Sequence, residues 1–283
     1  MGKVKKFILC ADWFGKNKDY NRAVLNGCNN GFVKSCSIVA NGDAFDAAIN
    51  DILPECPNIS VGINLNLTVG NALTKAFKLT DINNTFKYNF NELVDQVKKN
   101  SDILTEIEAE LRAQVEKVTN TIKIYHINSI DNIHLIPEIL KIVCVIAKEY
   151  NIKYIRVPYE ELYYVPDVKH ILNFKFIANI FNLIKFNNLS KSAKNLIKDY
   201  DLNSNDYFIG LTYKDLMDTK SLEYGLKTLT DEDNITIECA INPCSYLRNI
   251  NNSRSLEFKM SQDKILEDTI RRMGFEITNH KKL

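Results

Sequence analysis

The chain lacks most of the features that mark linkers, arrays, membrane proteins and nucleic-acid binders. It has only 6 prolines and 10 glycines in 283 residues, with no Pro/Gly/Ser-rich stretch to serve as a linker and no internal repeat. Charge of one sign is not in excess: 36 Lys and Arg face 35 Asp and Glu, for a net charge of +1. A general nucleic-acid binder needs surplus positive charge to displace counterions from phosphates, so that class is not expected. No run approaches the ~20 apolar residues of a membrane span. The basic start is followed by an apolar run that Asp12 cuts short, so the opening reads as a first strand and not as a signal peptide. The seven cysteines (10, 28, 36, 56, 144, 239 and 244) are odd in number and contain no C-x-x-C pair. Most sit in apolar runs, which reads as buried free thiols in a reducing cytoplasm.

What is present is core material. The composition is 45% hydrophobic, 25% charged and 10% aromatic, which excludes disorder, collagen and a coiled-coil rod. Such a length suits either two domains of ~150 residues or one α/β barrel. Strand-like and helix-like patterns alternate nearly to the end. Strands are expected at 3–10, 35–40, 60–67, 122–128, 153–157, 206–211 and 235–241, from short apolar or alternating runs. Helices are expected at 20–29, 44–53, 105–118 and 137–150, the last opened by Pro137. Gly31 is expected just past the first of these, at positive φ. A final helix is expected to start at Ser261 as N-cap and to stop at Gly274. Strands separated by helices imply parallel β-structure with crossover helices. The economical reading is an α/β fold, one barrel-like domain over 1–283.

One segment differs in composition. From 168 to 198 there is no acidic residue, while six lysines punctuate an apolar pattern that includes Ile171, Phe174, Ile177, Phe181 and Ile184. A basic amphipathic helix can lie on an anionic membrane or grip a partner. The plainer reading, preferred here, is a helix that packs this stripe on the barrel and leaves its lysines in water.

In parallel barrels the chemistry sits at the C-terminal ends of the strands, and four such ends carry polar clusters. They are Asp12-Trp13 after strand one, Asn64 and Asn66 in strand three, 126–134 after the strand near 125, and Asn242-Pro243-Cys244 after the late strand. Converging carboxylate, amide and imidazole groups are what a small-molecule site needs. Asp12 reads either as a site carboxylate or as a cap. Asn64, Asn66, Asn128 and Asn242 would make an uncharged pocket whose amides read hydroxyls. Trp13 is either an aromatic face for a sugar ring or filler.

In this order and spacing the blocks resemble the YdjC-like carbohydrate deacetylase family, the chitooligosaccharide deacetylase type. That family opens with A-D-D-F-G, here Ala11-Asp12-Trp13-Phe14-Gly15. Its N-R-x-I/V is Asn21–Val24 and its G-L-H-L-N-L-T-x-G block is GINLNLTVG from Gly62. The T-H-x-D-S-H-H-H-x-H-x-x-P block runs from Tyr125 to Pro137. R-x-P-x-E is Arg156–Glu160, and the H-P-G turn is Asn242-Pro243-Cys244. The resemblance implies a distorted (β/α) barrel that removes an acetyl group from an N-acetylated sugar. In it a divalent metal polarises the carbonyl and activates water, while a carboxylate takes the proton.

Carried over position by position, the resemblance keeps the base as Asp12 and loses the metal ligands. Trp13 stands for the ligand Asp, Asn64 for the strand-three His, Ile130 for the His after Ser129, and Asn242 for the turn histidine. Indole and alkyl groups cannot ligate a hard cation, so no metal or other cofactor is expected. The expectation is therefore a sugar-binding or sugar-processing member resting on Asp12, with Trp13, Asn64, Asn66, Asn128, Arg156, Glu160 and Asn242 against the sugar. The alternative is an active N-deacetylase with a remodelled metal site at Asp12, His126, Asp131 and His134. Otherwise His126 and His134 fix the loop by hydrogen bonds. A sugar or glycan partner is expected, without nucleic acid or membrane, and homo-oligomerisation is left open.

Overall fold

The computed structural model describes residues 4–166, 173–245 and 253–283. The first strand, β1 (Lys5–Phe14), is apolar on both faces and almost wholly buried, the pattern of a central parallel strand. Around it lie β2 (Ser35–Ile38), β3 (Ser60–Leu65), β4 (His126–Ser129), β5 (Tyr154–Ile155), β6 (Tyr207–Ile209), β7 (Ile235–Ile241) and β8 (Phe275–Ile277). The sheet runs β5-β4-β3-β2-β1-β7-β6, with β8 beside the start of β1, and every ladder is parallel. Beyond the edge strands, Phe208 N donates to Tyr159 O at 2.7 Å, and Asn203 exchanges backbone bonds with Lys153 and Ile155. These contacts join the two edges, so the sheet curls into the expected distorted α/β barrel.

Helices cover the outside: α1 (Lys18–Asn30), α2 (Phe90–Lys99), α3 (Ile103–Thr119), α4 (Pro137–Glu149), α5 (Phe174–Asp199), α6 (Thr219–Lys227), α7 (Ser253–Met260) and α8 (Lys264–Arg272). Among the described residues no helix is long and apolar enough to cross a membrane.

Several expectations are corrected. Gly31 adopts φ −131° and not a left-handed conformation. Its requirement is space, because a Cβ there would lie 2.0 Å from Ser261 O. The last helix starts later than expected: α8 is capped not by Ser261, which follows α7, but by Asp263, which accepts from the N–H groups of Ile265 and Leu266. Gly274 does end α8, at φ 85°. Residues 45–55 form a short α, π and 3₁₀ succession instead of one helix. Helix α2, with its Asn89/Glu92 capping box, α6, α7 and β8 went unanticipated.

The largest correction concerns α5. Its core face is Phe176, Leu183, Phe186, Ala193 and Ile197, whereas Phe174, Ile177, Phe181 and Ile184 face solvent, Phe181 being 70% exposed. Two apolar series at helical spacing compete for the barrel in this sequence. The buried one also carries Asn179, whose amide donates to Thr212 O and Lys214 O, so polar satisfaction orients the helix. Lys169 and Ile171 of the 168–198 segment lie outside the described residues.

Candidate functional site

At the C-terminal rim a cavity of about 210 Å³ opens between β1, β3, β4, β6 and β7. Asp12, Trp13, Asn64, Ile130, Asn242 and Arg254 are among its walls. Asp12 anchors it. Its Oδ1 accepts from Ser37 Oγ at 2.7 Å, Asn128 Nδ2 at 2.9 Å and Arg156 Nη2 at 2.9 Å. Its Oδ2 accepts from Arg156 Nη1 at 2.5 Å. With Cys10 Sγ at 3.7 Å as well, four donors on one oxygen and one on the other leave Oδ2 with more remaining acceptor capacity. Arg156 also reaches Glu238 Oε1 through Nε and Nη2, so one guanidinium joins β5, β1 and β7. Burial would raise the Glu238 carboxyl, but Arg156 and His280 outweigh it and hold that group below the usual carboxylate range.

Trp13 sits at φ 67°, a backbone region uncommon for a bulky residue. The Lys16 ammonium lies 3.2 Å from its ring centroid, and Tyr20 stacks at 5.8 Å. A cation therefore already occupies one indole face. Burial first, then the charge of Arg254, lowers Lys16 to about 8.

The asparagines divide by role. Asn64 is buried at the cavity wall, and its Oδ1 has no hydrogen-bond partner among the described residues. Asn128 is fully buried and donates to both Asp12 and Ser37; it orients the carboxylate and does not line the cavity. Asn66 turns away: its amide ties Asn41, Thr68 and Val69 into the loop after β3. Asn242 lines the cavity, and its backbone N–H donates to Glu257 Oε2 at 2.5 Å. Burial raises Glu257 to about 7.

Glu160 lies beneath the wall and not in it. Its carboxylate accepts from the backbone N–H groups of Gly210, Leu211 and Thr212, fixing the loop that lines the cavity after β6. Burial, opposed by these bonds, raises it to about 7.

The four donors of the remodelled metal site are not brought together. His126 lies in the barrel interior, stacked on His280 at 3.7 Å between centroids. His134 is tied by Nδ1 to Ser129 Oγ and by Nε2 to Arg156 O, and burial lowers it to about 4. Asp131 is on the rim, accepting from Thr68 Oγ1 and facing Lys214 at 3.8 Å. His134 has the fixing role that sequence reading offered as the other option, His126 does not, and of the four only Asp12 and Asp131 reach the cavity.

Sequence reading missed Lys16, Ser37, Lys214, Asp215, Glu238, Arg254 and Glu257. Glu238 left a signal, since a carboxylate amid the apolar run ITIECAI demands a buried partner. Arg254 follows a segment with no motif, and nothing in its neighbours points to the rim.

The sequence profile of the YdjC-like proteins matches residues 6–272. The chain belongs to the YdjC-like protein family. A carbohydrate deacetylase from Brevibacillus brevis is 34% identical over 149 residues, covering 52% of this chain and 57% of that one. One from Clostridium beijerinckii is 30% identical over 181 residues, covering 63% and 70%. A chitooligosaccharide deacetylase from Escherichia fergusonii is 31% identical over 147 residues, covering 51% and 56%. The match thus spans little more than half the length of the first and third of these relatives. A solved structure from Enterococcus faecalis, a candidate cellobiose-phosphate cleavage protein, superposes with a TM-score of 0.75 at 16% identity. It covers 99% of this chain and 98% of that one, a likeness of fold alone.

The metal that the family resemblance implies does not fit the residues at the rim. Of the three ligand positions, Ile130 offers an alkyl group and Trp13 an indole already faced by the Lys16 ammonium. Only Asn64 Oδ1 is a donor, and one neutral amide oxygen beside a fixed cation does not hold a divalent ion.

Proposed function

We propose that this YdjC-like protein binds a sugar or glycan at the rim cavity and does not carry out metal-dependent N-deacetylation. The observation that carries the reading is the cavity wall itself. Trp13, Asn64 and Ile130 stand around Asp12 at the three ligand positions and supply one neutral oxygen between them. Amide hydrolysis asks for an electrophile at the carbonyl oxygen, and these three residues cannot hold a metal to provide it.

The remaining groups suit polyol recognition. Asp12 Oδ2 accepts a sugar hydroxyl, Asn64 Oδ1 accepts a second, and Asn242 and the paired Lys214 and Arg254 present polar edges around them. The names of the relatives, carbohydrate and chitooligosaccharide deacetylase, support a saccharide as the ligand class. Any proton transfer rests on Asp12, whose orientation is set by Arg156, Asn128 and Ser37. Exchange of a proton with a hydroxyl is within reach of such a carboxylate.

The test pairs calorimetric binding with acetate release, using N-acetylglucosamine oligomers and their deacetylated counterparts as probes. Expected are saccharide binding that weakens at least tenfold in Asp12→Asn and Asn64→Ala, and no acetate release with added zinc, magnesium or cobalt. Metal-dependent acetate release that Asp12→Asn abolishes overturns the reading. So does a failure of every saccharide to bind. A triple variant, Trp13→Asp, Asn64→His and Ile130→His, is expected to gain one divalent metal relative to its parent.

A further inference from the structure

Below Asp12, toward the N-terminal ends of the strands, lies a second polar cluster that the rim site does not use. Cys10 of β1, His126 of β4 and Glu238 of β7 are fully buried, and each presents a donor atom within 4.8 Å of the other two. Cys10 Sγ lies 3.6 Å from His126 Nε2. His280, carried in by the C-terminal turn, stacks on His126, and its Nε2 lies 3.6 Å from Glu238 Oε2. That last separation is too long for a hydrogen bond between nitrogen and oxygen. The Cys10–His126 separation matches the roughly 3.5 Å between sulfur and nitrogen ligands on a tetrahedral zinc, with Zn–S about 2.3 Å and Zn–N about 2.0 Å.

A further observation points to a ligand. Glu238 Oε2, His280 Nε2 and His126 Nδ1 have no hydrogen-bond partner among the described residues, although buried polar atoms are overwhelmingly paired. Cys10 Sγ lies 3.7 Å from Asp12 Oδ1 and contacts His126 Nε2, and neither contact satisfies Glu238 Oε2.

We propose that Cys10, His126 and Glu238 form a buried metal site for a zinc-class ion, with His280 stacked on His126 as its support. Sulfur, imidazole and carboxylate together select zinc or a similar transition metal over magnesium or calcium. The site is separate from the rim positions Trp13, Asn64 and Ile130. All three donors are fully buried, so the ion enters as the chain folds.

The test is elemental mass spectrometry on protein purified without chelator or metal-affinity resin. About one equivalent of zinc is expected, lost in Cys10→Ala and Glu238→Gln and retained in Asp131→Ala on the rim. Because core variants can misfold, unaltered protein produced in cobalt-supplemented medium supplies an independent readout. A thiolate-to-cobalt charge-transfer band in the near ultraviolet is expected, together with tetrahedral d–d absorption. Substoichiometric metal after zinc-supplemented growth overturns the proposal. Metal retained by Cys10→Ala, or lost from Asp131→Ala, also overturns it, as does cobalt bound without a thiolate band.

Discussion

Arg156 grips Asp12 with both prongs of its guanidinium, Nη1 to Oδ2 at 2.5 Å and Nη2 to Oδ1 at 2.9 Å, while Nη2 also meets Glu238 Oε1 at 2.8 Å. All three residues are buried, so the guanidinium is the charge that lets two carboxylates share the interior. Arg156→Met is expected to lower stability by about 3–5 kcal/mol, because it leaves buried carboxylates uncompensated. Arg156→Lys retains the charge but cannot span both partners in a fork, and is expected to fall between the two. Urea unfolding at neutral pH measures this, and a loss below about 1 kcal/mol for Met would mean that the carboxylates find another counter-charge.

Glu160 is raised to about 7 by burial, above the ordinary glutamate value of about 4.3. A raised carboxyl binds its proton more tightly in the folded state, so its contribution is complete below about pH 4.3 and is lost as pH climbs to about 7. Glu257 acts in the same direction. His134, lowered to about 4, acts oppositely and loses stability as pH falls from about 6.5 toward 4. Wild type alone therefore mixes these slopes, and the difference from Glu160→Gln isolates one. Relative to that variant, wild type is expected to lose stability between pH 5 and 7.5. A difference that is flat with pH, measured by urea midpoints, would contradict the assignment.

The two faces of α5 give opposite expectations. Leu183→Ala removes a buried side chain and is expected to cost about 2–5 kcal/mol. Phe181→Ser, at a position 70% exposed, is expected to stay within about 0.5 kcal/mol of wild type. Thermal unfolding of both variants checks the orientation, and the reverse order would return the helix to the face that its exposed stripe suggests.

Gly31→Ala is a backbone test. Its Cβ would lie 2.0 Å from Ser261 O, and Phe32 N donates to that same carbonyl at 3.1 Å. Separating α1 from the turn after α7 is expected to cost about 1–3 kcal/mol. A variant that melts with wild type would show that the two segments yield without loss.

Much of the barrel was legible in the chain because its strands are short, apolar and parallel. Strand β7 was read at its actual limits, 235–241, since ITIECAI is apolar enough to be buried on both faces. Helix α2 was legible too, through the Asn89/Glu92 capping box, and was overlooked. The site was half legible: Asp12, Trp13, Asn64, Arg156 and Asn242 do line one cavity. Asn66, Asn128 and Glu160 carry the same polar signature but bond to the protein itself. A polar residue at a strand end has the same appearance whether it faces a ligand or a backbone amide.

The sequence alone determined the alternation of strand and helix, the parallel barrel that follows from it, and the side-chain types at positions 13, 64 and 130. These depend on residue type and periodicity, which are local. Only the tertiary structure decided which stripe of α5 meets the barrel and why Gly31 must be glycine. It also decided that His126 pairs with His280 from the far end of the chain, and that Arg156 binds Asp12 and Glu238 at once. Each of these joins residues far apart in sequence, and burial and charge compensation act on distance in space.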